Sequence, residues 1–161
     1  ESTTIVKLMD AYGFREAIPR EMERGMAVWG TCAGMIAVAR RLTEPYPEPL
    51  GLIDIVVSRN WFGRQVDSFE TDLAFEGIGR EPFHAVFIRA PVVAACGASV
   101  KVLAKVEQGP PVAVRDGQVL ATAFHPELTD DNRIHRYFVE MASEGAKTGA
   151  KKAARPAGGD D

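Results

Sequence analysis

Residues 28–34, "VWGTCAG", place a cysteine between two glycines at the end of a short apolar run. The run at residues 26–29 has the length and apolarity of a buried strand. Residues 33–42 continue with apolar side chains at helical spacing, which predicts a helix buried over most of its surface. The stretch therefore predicts a strand–turn–helix unit, and such units build α/β folds.

Within this unit, Gly30, Cys32 and Gly34 follow the pattern G-x-C-x-G, the cysteine version of a nucleophile elbow. Such a turn strains the backbone of its central residue and brings that side chain to a helix N-terminus. We expect both glycines to leave room for neighbouring backbone, and the helix N-terminus to favour a thiolate at Cys32. The N–H of Ala33 is then available to hold an oxyanion. The alternative is that Cys32 is a small core residue and the glycines serve packing alone.

A cysteine nucleophile needs a base, and the chain has 3 histidines. His125 follows a strand-like run, and Pro126 keeps it out of helical backbone angles. In an extended stretch, residues i and i+2 point the same way, so Glu127 can reach the imidazole. The sequence therefore predicts a relay of Cys32, His125 and Glu127, the alternative being a surface turn with a chance His and Glu. Surface positions are favoured for the other two histidines, His84 and His135.

The composition excludes several classes of function. The chain has 161 residues, of which 46% are hydrophobic and 25% charged, as in a folded globular domain. Its net charge of −3, without a basic stripe, gives no sign of nucleic-acid binding. No apolar run approaches the roughly 20 residues of a membrane-spanning helix, and the opening residues lack the pattern of a signal peptide. With 2 cysteines far apart, a disulfide framework is not expected, which favours the cytoplasm.

The remaining pattern predicts helices first and a strand-rich half afterwards. Residues 144–161 are small, charged and glycine-rich, which predicts a disordered tail after a single domain at residues 1–143. Asp116 and Gly117 predict a two-residue hairpin turn. Helices before a strand-rich half indicate an α/β sandwich with a mixed sheet. The predicted helices cover residues 2–12, 17–23 and 132–142, and the predicted strands lie within 53–57, 66–75, 85–89, 100–106 and 110–124.

Several segments together resemble one family. They are "ESTT" at 1–4, "GTCAG" at 30–34, "RNWFGRQVDSFE" at 59–70, "VFIRAP" at 86–91 and "FHPELTDD" at 124–131. The chain resembles the class I (triad) glutamine amidotransferases and, among them, the glutaminase subunits of pyridoxal 5′-phosphate synthase. The resemblance runs from residue 1 to about residue 142 and implies a three-layer, flavodoxin-like α/β sandwich with a mixed, mostly parallel sheet.

The resemblance implies a chemistry. Cys32 would attack the side-chain amide of L-glutamine, ammonia would leave, and water would hydrolyse the glutamyl thioester, with His125 and Glu127 completing the triad. Ala33 would contribute to the oxyanion hole. Arginines suit glutamine binding independently, because a guanidinium binds a carboxylate in a bidentate fork, although a surface salt bridge is the alternative for each. The glutamine site would be formed by Glu1, Ser2, Arg59, Ile88 and Arg89.

The resemblance also implies a partner. The ammonia would pass directly to a synthase subunit, a separate (β/α)8 barrel, in an assembly of twelve synthase and up to twelve glutaminase subunits that makes vitamin B6. No metal and no bound cofactor are implied for this subunit.

The sequence departs from the family at its start. Relatives begin with a strand and a helix and continue into a loop "GGEST", whereas this sequence starts at the glutamate of that loop. One glycine N–H of the loop is expected in the oxyanion hole, and losing one such donor costs about 10²–10³ in turnover. One alternative is therefore a catalytically weak or inactive docking subunit of the same complex. Another is a protease or deglycase with a similar cysteine elbow, in which "RNWFGRQ" would have no role.

Overall fold

The computed structural model describes residues 1–59 and 68–153, with side chains described up to residue 150. In this part of the chain, no helix is both long and apolar enough to cross a membrane. A 3₁₀ turn covers Pro126–Leu128. The helices are α1 (Ser2–Ala11), α2 (Phe14–Glu23), α3 (Ala33–Val38) and α4 (Arg133–Ala153). The strands are β1 (Val28–Thr31), β2 (Ala39–Leu42), β3 (Ile53–Ser58), β4 (Ser68–Leu73), β5 (Phe83–Ile88), β6 (Val92–Cys96), β7 (Lys101–Lys105), β8 (Pro111–Asp116) and β9 (Val119–Thr122).

Most predicted elements are confirmed. The strand–turn–helix unit is formed by β1 and α3. The predicted hairpin joins β8 to β9, but its two turn residues are Gly117 and Gln118, because Asp116 ends β8 and pairs with Val119; Gly117 has a φ of 53°. Of the predicted strand at 66–75, residues 68–73 form β4, while residues 66 and 67 lie outside the described part. Most of the "RNWFGRQVDSFE" segment also falls there.

The described strands form three sheets, with orders β1-β9-β8-β7, β2-β3-β6 and β4-β5. The pairs β1–β9 and β2–β3 are parallel, and the other pairs are antiparallel. The mixed α/β character is therefore confirmed, whereas a mostly parallel sheet does not hold for the described pairings. For the pairs β7–β8 and β8–β9 the reason is a short connection, because neighbouring strands joined by a tight turn must run antiparallel.

An aromatic cluster in the core anchors the end of β9. Phe124 is fully buried, and its ring centroid lies 5.7 Å from that of Phe83 and 5.5 Å from that of Phe87. Such tilted ring pairs add to the stabilisation from burial alone. The residue that follows Phe124 is His125, so the core fixes the backbone on which the candidate base sits.

The helix predicted over residues 33–42 is shorter in the structure. It ends at Val38, and β2 follows directly, parallel to β3. The carbonyl groups at the helix end accept hydrogen bonds from the N–H groups of residues 50–52, at 2.8–2.9 Å. These long-range bonds satisfy the helix end, and pairing with β3 draws residues 39–42 into a sheet. A strand at β6, antiparallel to β3, was also not predicted.

The final helix is longer than predicted. α4 runs to Ala153, so a disordered tail beginning at residue 144 is wrong for residues 144–153, and residues 154–161 lie outside the described part. The glycines that suggested disorder face the loop after α2. A Cβ at Gly149 would collide with the carbonyl oxygen of Arg24, and one at Gly145 would lie 2.7 Å from that of Gly25. Glycine here permits close helix packing.

Candidate active site

The elbow places Cys32 between β1 and α3, as predicted. Cys32 is 6% exposed and has φ 48° and ψ −107°, a strained backbone conformation for a residue with a side chain. Its N–H donates to the carbonyl of Thr122 at 2.7 Å, so the end of β9 holds the turn in place. Two neighbouring strands therefore fix the position of the candidate nucleophile.

The structure requires glycine at one of the two elbow positions but not at the other. A Cβ at Gly30 would lie 2.5 Å from the carbonyl oxygen of Gly34, so only glycine fits at position 30 without a backbone shift. A Cβ at Gly34 would meet no atom within 4 Å. The prediction that a side chain would strike its surroundings is confirmed for Gly30 and wrong for Gly34.

The thiol of Cys32 is not a preformed thiolate. Burial raises its pKa above the usual value, and a hydrogen bond from the N–H of Ala33 opposes this only in part. The carboxylates of Glu1 and Glu127 raise the pKa further, while the guanidinium of Arg89 lowers it. Desolvation is thus the largest influence on the pKa of this thiol. The nucleophile therefore needs a base to remove its proton.

His125 is the candidate for that base. Its Nδ1 lies 2.7 Å from Oε1 of Glu127, which fixes the ring and leaves Nε2 for proton exchange. Its backbone N–H donates to the carbonyl of Val86 at 2.9 Å, and its φ of −106° and ψ of 88° lie outside the helical region, as Pro126 predicts. The prediction placed His125 and Glu127 in an extended segment, whereas in the structure the 3₁₀ turn brings the Glu127 carboxylate to the ring of His125.

One cavity of about 300 Å³ joins the predicted residues. Cys32 and His125 both contribute to its wall, and so do Ala33 and all the residues predicted for glutamine binding. Glu127 lies behind His125 and does not line the cavity. Ile36 was not predicted; it lies four residues after Cys32 on the same face of α3, so helical spacing could have identified it. The full lining is Glu1, Ser2, Cys32, Ala33, Ile36, Arg59, Ile88, Arg89 and His125.

The charged groups of the cavity are held differently from its nucleophile. Arg89 has a positive φ of 45°, and its Nη2 lies 3.4 Å from Oε1 of Glu1, in a pair whose side chains are 69% and 71% exposed. Arg59 donates instead to a backbone carbonyl, that of Tyr46, at 2.9 Å. Ser2, at the start of α1, is buried beside them. Ile88 accepts a contact from the thiol of Cys32, with 3.7 Å between sulfur and carbonyl oxygen.

A larger open groove of about 850 Å³ lies between residues 21–27 and α4. Its described lining holds no cysteine, serine or histidine, so the smaller cavity is the candidate active site. The other histidines lie away from both and are exposed, as predicted. His84 is hydrogen-bonded to Glu70 and Asp72, both of which raise its pKa, and His135 packs edge-on against Trp29. Among the described residues, no group of three or more His, Cys, Asp or Glu is arranged to hold a metal.

Comparison with known proteins gives a consistent picture. Residues 1–144 match the model of the SNO glutamine amidotransferase family. The chain is 54% identical over 144 residues to the pyridoxal 5′-phosphate synthase subunit PdxT of Dehalococcoides mccartyi, a match that spans 88% of this chain and 74% of that protein. It is 57% identical over 145 residues to PdxT of Thermus thermophilus, with the same coverage. A crystal structure described as a glutamine amidotransferase is 50% identical, with a TM-score of 0.83 over 89% of this chain and 75% of the other. The resemblance that the sequence suggested is therefore confirmed, and the chain belongs to the SNO glutamine amidotransferase family.

Proposed function

We propose that Cys32, His125 and Glu127 form the catalytic triad of a glutaminase that supplies ammonia for pyridoxal 5′-phosphate synthesis. The observation that carries the proposal is one cavity lined by both Cys32 and His125, with His125 Nδ1 2.7 Å from the carboxylate of Glu127. Cysteine, histidine and carboxylate in this arrangement suit attack on an amide carbon.

The first half of the reaction forms a thioester. Nε2 of His125 takes the proton of the Cys32 thiol, and the sulfur attacks the side-chain amide carbon of glutamine. The N–H of Ala33 stabilises the oxyanion of the tetrahedral intermediate. When the carbon–nitrogen bond breaks, protonated His125 donates its proton to the leaving nitrogen, which departs as ammonia. Because burial holds the thiol in its neutral form, the proton transfer to His125 is a required step.

The second half releases glutamate. His125, neutral again, takes a proton from water, and the resulting hydroxide attacks the thioester carbon. The carbon–sulfur bond breaks, and the thiolate of Cys32 recovers its proton from His125. Throughout, Glu127 holds the ring through Nδ1 and stabilises its charged form. The sum is glutamine plus water giving glutamate plus ammonia.

The charges around the cavity suit the α-amino acid end of the substrate. Arg59 and Arg89 offer guanidinium groups to the α-carboxylate, and Glu1 offers a carboxylate to the α-ammonium group. Ser2 and Ile88 complete the wall. In the free protein Glu1 and Arg89 pair with each other, so glutamine exchanges one exposed ion pair for two charge-matched contacts.

The partner follows from the relatives, which are named as subunits of pyridoxal 5′-phosphate synthase. We propose that this chain docks on a (β/α)8-barrel synthase subunit in the cytoplasm, in an assembly of twelve synthase and up to twelve glutaminase subunits. Direct transfer of ammonia to that subunit keeps it from being protonated to ammonium, which is not a nucleophile.

The test measures glutamate released from L-glutamine, with and without the synthase subunit, by the wild type and by Cys32→Ala. We expect hydrolysis that increases with the partner and is lost in the variant; activity retained by Cys32→Ala would overturn the mechanism. A docking subunit without activity is not favoured, and labelling by a glutamine-mimicking chloroketone separates the two. Fast labelling of Cys32 that L-glutamine blocks supports the enzyme, whereas labelling no faster than that of Cys96 supports the docking role.

A further inference from the structure

Arg59 is held at two points by one short segment of the chain. Its backbone N–H donates to Oε1 of Glu44 at 3.1 Å, and its guanidinium Nη1 donates to the carbonyl of Tyr46 at 2.9 Å. Just before this segment, the N–H of Thr43 donates to the carbonyl of Val57 at 3.0 Å, which extends the β2–β3 pairing. Residues 44–46 therefore connect strand β2 to both the backbone and the guanidinium group of Arg59.

The carboxylate of Glu44 contacts Arg59 from a partly buried position. Its second oxygen, Oε2, is buried and has no hydrogen-bond partner in the described part of the chain. A buried carboxylate oxygen without a partner is unfavourable, so among the described residues the hydrogen bond from Arg59 N–H to Oε1 is what offsets the burial of this carboxylate.

We propose that Glu44 is a positioning residue for glutamine, acting through Arg59. Glu44 does not line the cavity, and its negative charge would repel the α-carboxylate of a bound substrate, so any benefit comes from the orientation of Arg59. With its backbone held by Glu44 and one guanidinium N–H held by Tyr46, Arg59 keeps its remaining donors available for the carboxylate. This preorganisation lowers the entropy lost on binding. The inference rests on the proposed function.

The first test measures the Kd of L-glutamine by calorimetry in a Cys32→Ala background, with the synthase subunit present. We expect Glu44→Ala to weaken binding about 3- to 10-fold, the usual effect of one hydrogen bond. Glu44→Gln keeps an acceptor oxygen and should bind almost as the parent does. Glu48→Ala, which removes an exposed carboxylate of the same loop, is the matched control and should bind unchanged.

Three results would overturn the inference. They are unchanged binding in Glu44→Ala, equal losses in Glu44→Ala and Glu44→Gln, and equal losses in Glu44→Ala and Glu48→Ala. A double-mutant cycle adds a fourth criterion: if Glu44 acts through Arg59, Glu44→Ala has no further effect in an Arg59→Ala background. Losses that add in the double variant would contradict that route.

The proposed function is judged separately, by glutamine hydrolysis in the wild type. A wild type that binds glutamine without hydrolysing it overturns the proposed function alone. A wild type that hydrolyses glutamine, with a Glu44→Ala variant whose KM is unchanged, overturns the inference alone. A wild type that neither binds nor hydrolyses glutamine overturns both.

Discussion

The elbow at Cys32 and the charged wall of the cavity, formed by Glu1, Arg59 and Arg89, differ in burial and in how they are held. The elbow is buried, its backbone is bonded to β9, and a glycine contact closes it. The wall is exposed, and its Glu1–Arg89 pair has 3.4 Å between nitrogen and oxygen. A pair with this exposure and distance contributes little to stability, whereas a misplaced buried atom costs about 1–3 kcal/mol. The core therefore fixes the candidate nucleophile, and the exposed side chains of the wall are free to reorganise when a substrate binds.

The largest expected effect is the loss of the nucleophile. Cys32→Ala should lower glutamine hydrolysis by about 10⁴-fold or more, because neither His125 nor the cavity can replace the sulfur. Its midpoint of urea unfolding should stay close to that of the wild type, since alanine is smaller and introduces no clash. Cys96→Ala is the matched control, and its rate should be unchanged. A hydrolysis rate in Cys32→Ala within about 10-fold of the wild-type rate would show that Cys32 is not the nucleophile.

The two elbow glycines offer the next test. Gly30→Ala should destabilise the fold by about 1–3 kcal/mol, because the new Cβ meets the carbonyl of Gly34 and the backbone must move. It should also lower activity, since the same shift displaces Cys32. Gly34→Ala enters open space on a helix and should be neutral or slightly stabilising. Urea unfolding of both variants checks the pair; equal destabilisation would mean that the elbow is held by something other than the Gly30 contact.

The sequence predicted the elbow because its constraints are local. G-x-C-x-G reads directly as a strand–turn–helix, and Pro126 restricts His125 without help from distant residues. The end of α3 could not be predicted in this way. Residues 39–42 have helical spacing, but residues 50–52 bond to the carbonyls of residues 37–39, and β3 pairs with residues 39–42 as strand β2. In residues 39–42, tertiary contacts therefore override the helical pattern of the sequence.

The same distinction explains the rest of the site. The pKa of Cys32 depends on burial and on Glu1, Glu127 and Arg89, which come together only in the folded chain. Helix-terminus chemistry alone therefore leaves out the burial that raises this pKa. The packing of Gly145 and Gly149 against residues 24–25 is likewise visible only in three dimensions, so composition alone suggested disorder. The residues proposed to bind glutamine were named by resemblance, since spacing gives no reason to join residue 1 to residue 89.

The charged wall should affect substrate binding and not stability. Arg89→Ala should raise the KM for glutamine about 10-fold, because a charge-assisted hydrogen bond to the α-carboxylate is lost, while kcat changes by less than about 2-fold. Its unfolding free energy should change by less than about 0.5 kcal/mol, since the pair with Glu1 is exposed. Arg24→Ala removes another exposed, paired arginine and is the control. A fall in kcat with unchanged KM would place Arg89 in the chemical step instead of in binding.

The smallest expected effect is on the titration of the Cys32 thiol, on which Glu1 and Arg89 of the wall act through their charges. Since burial raises the thiol pKa above the usual 9.0, the rate of alkylation by iodoacetamide in the absence of glutamine should keep increasing with pH beyond that value. The unfolded chain ionises this thiol first, so its contribution to stability is complete below the unfolded pKa and decreases as the pH rises through the folded pKa. Arg89→Ala should shift the alkylation profile to higher pH, because a nearby positive charge is removed, and Glu1→Gln should shift it to lower pH.

Mass spectrometry of Cys32 labelling across the pH range measures both shifts. A wild-type midpoint below 9.0 would show that the helix N-terminus outweighs burial after all, and shifts in the same direction for both variants would show that the wall's charges do not act on the thiol.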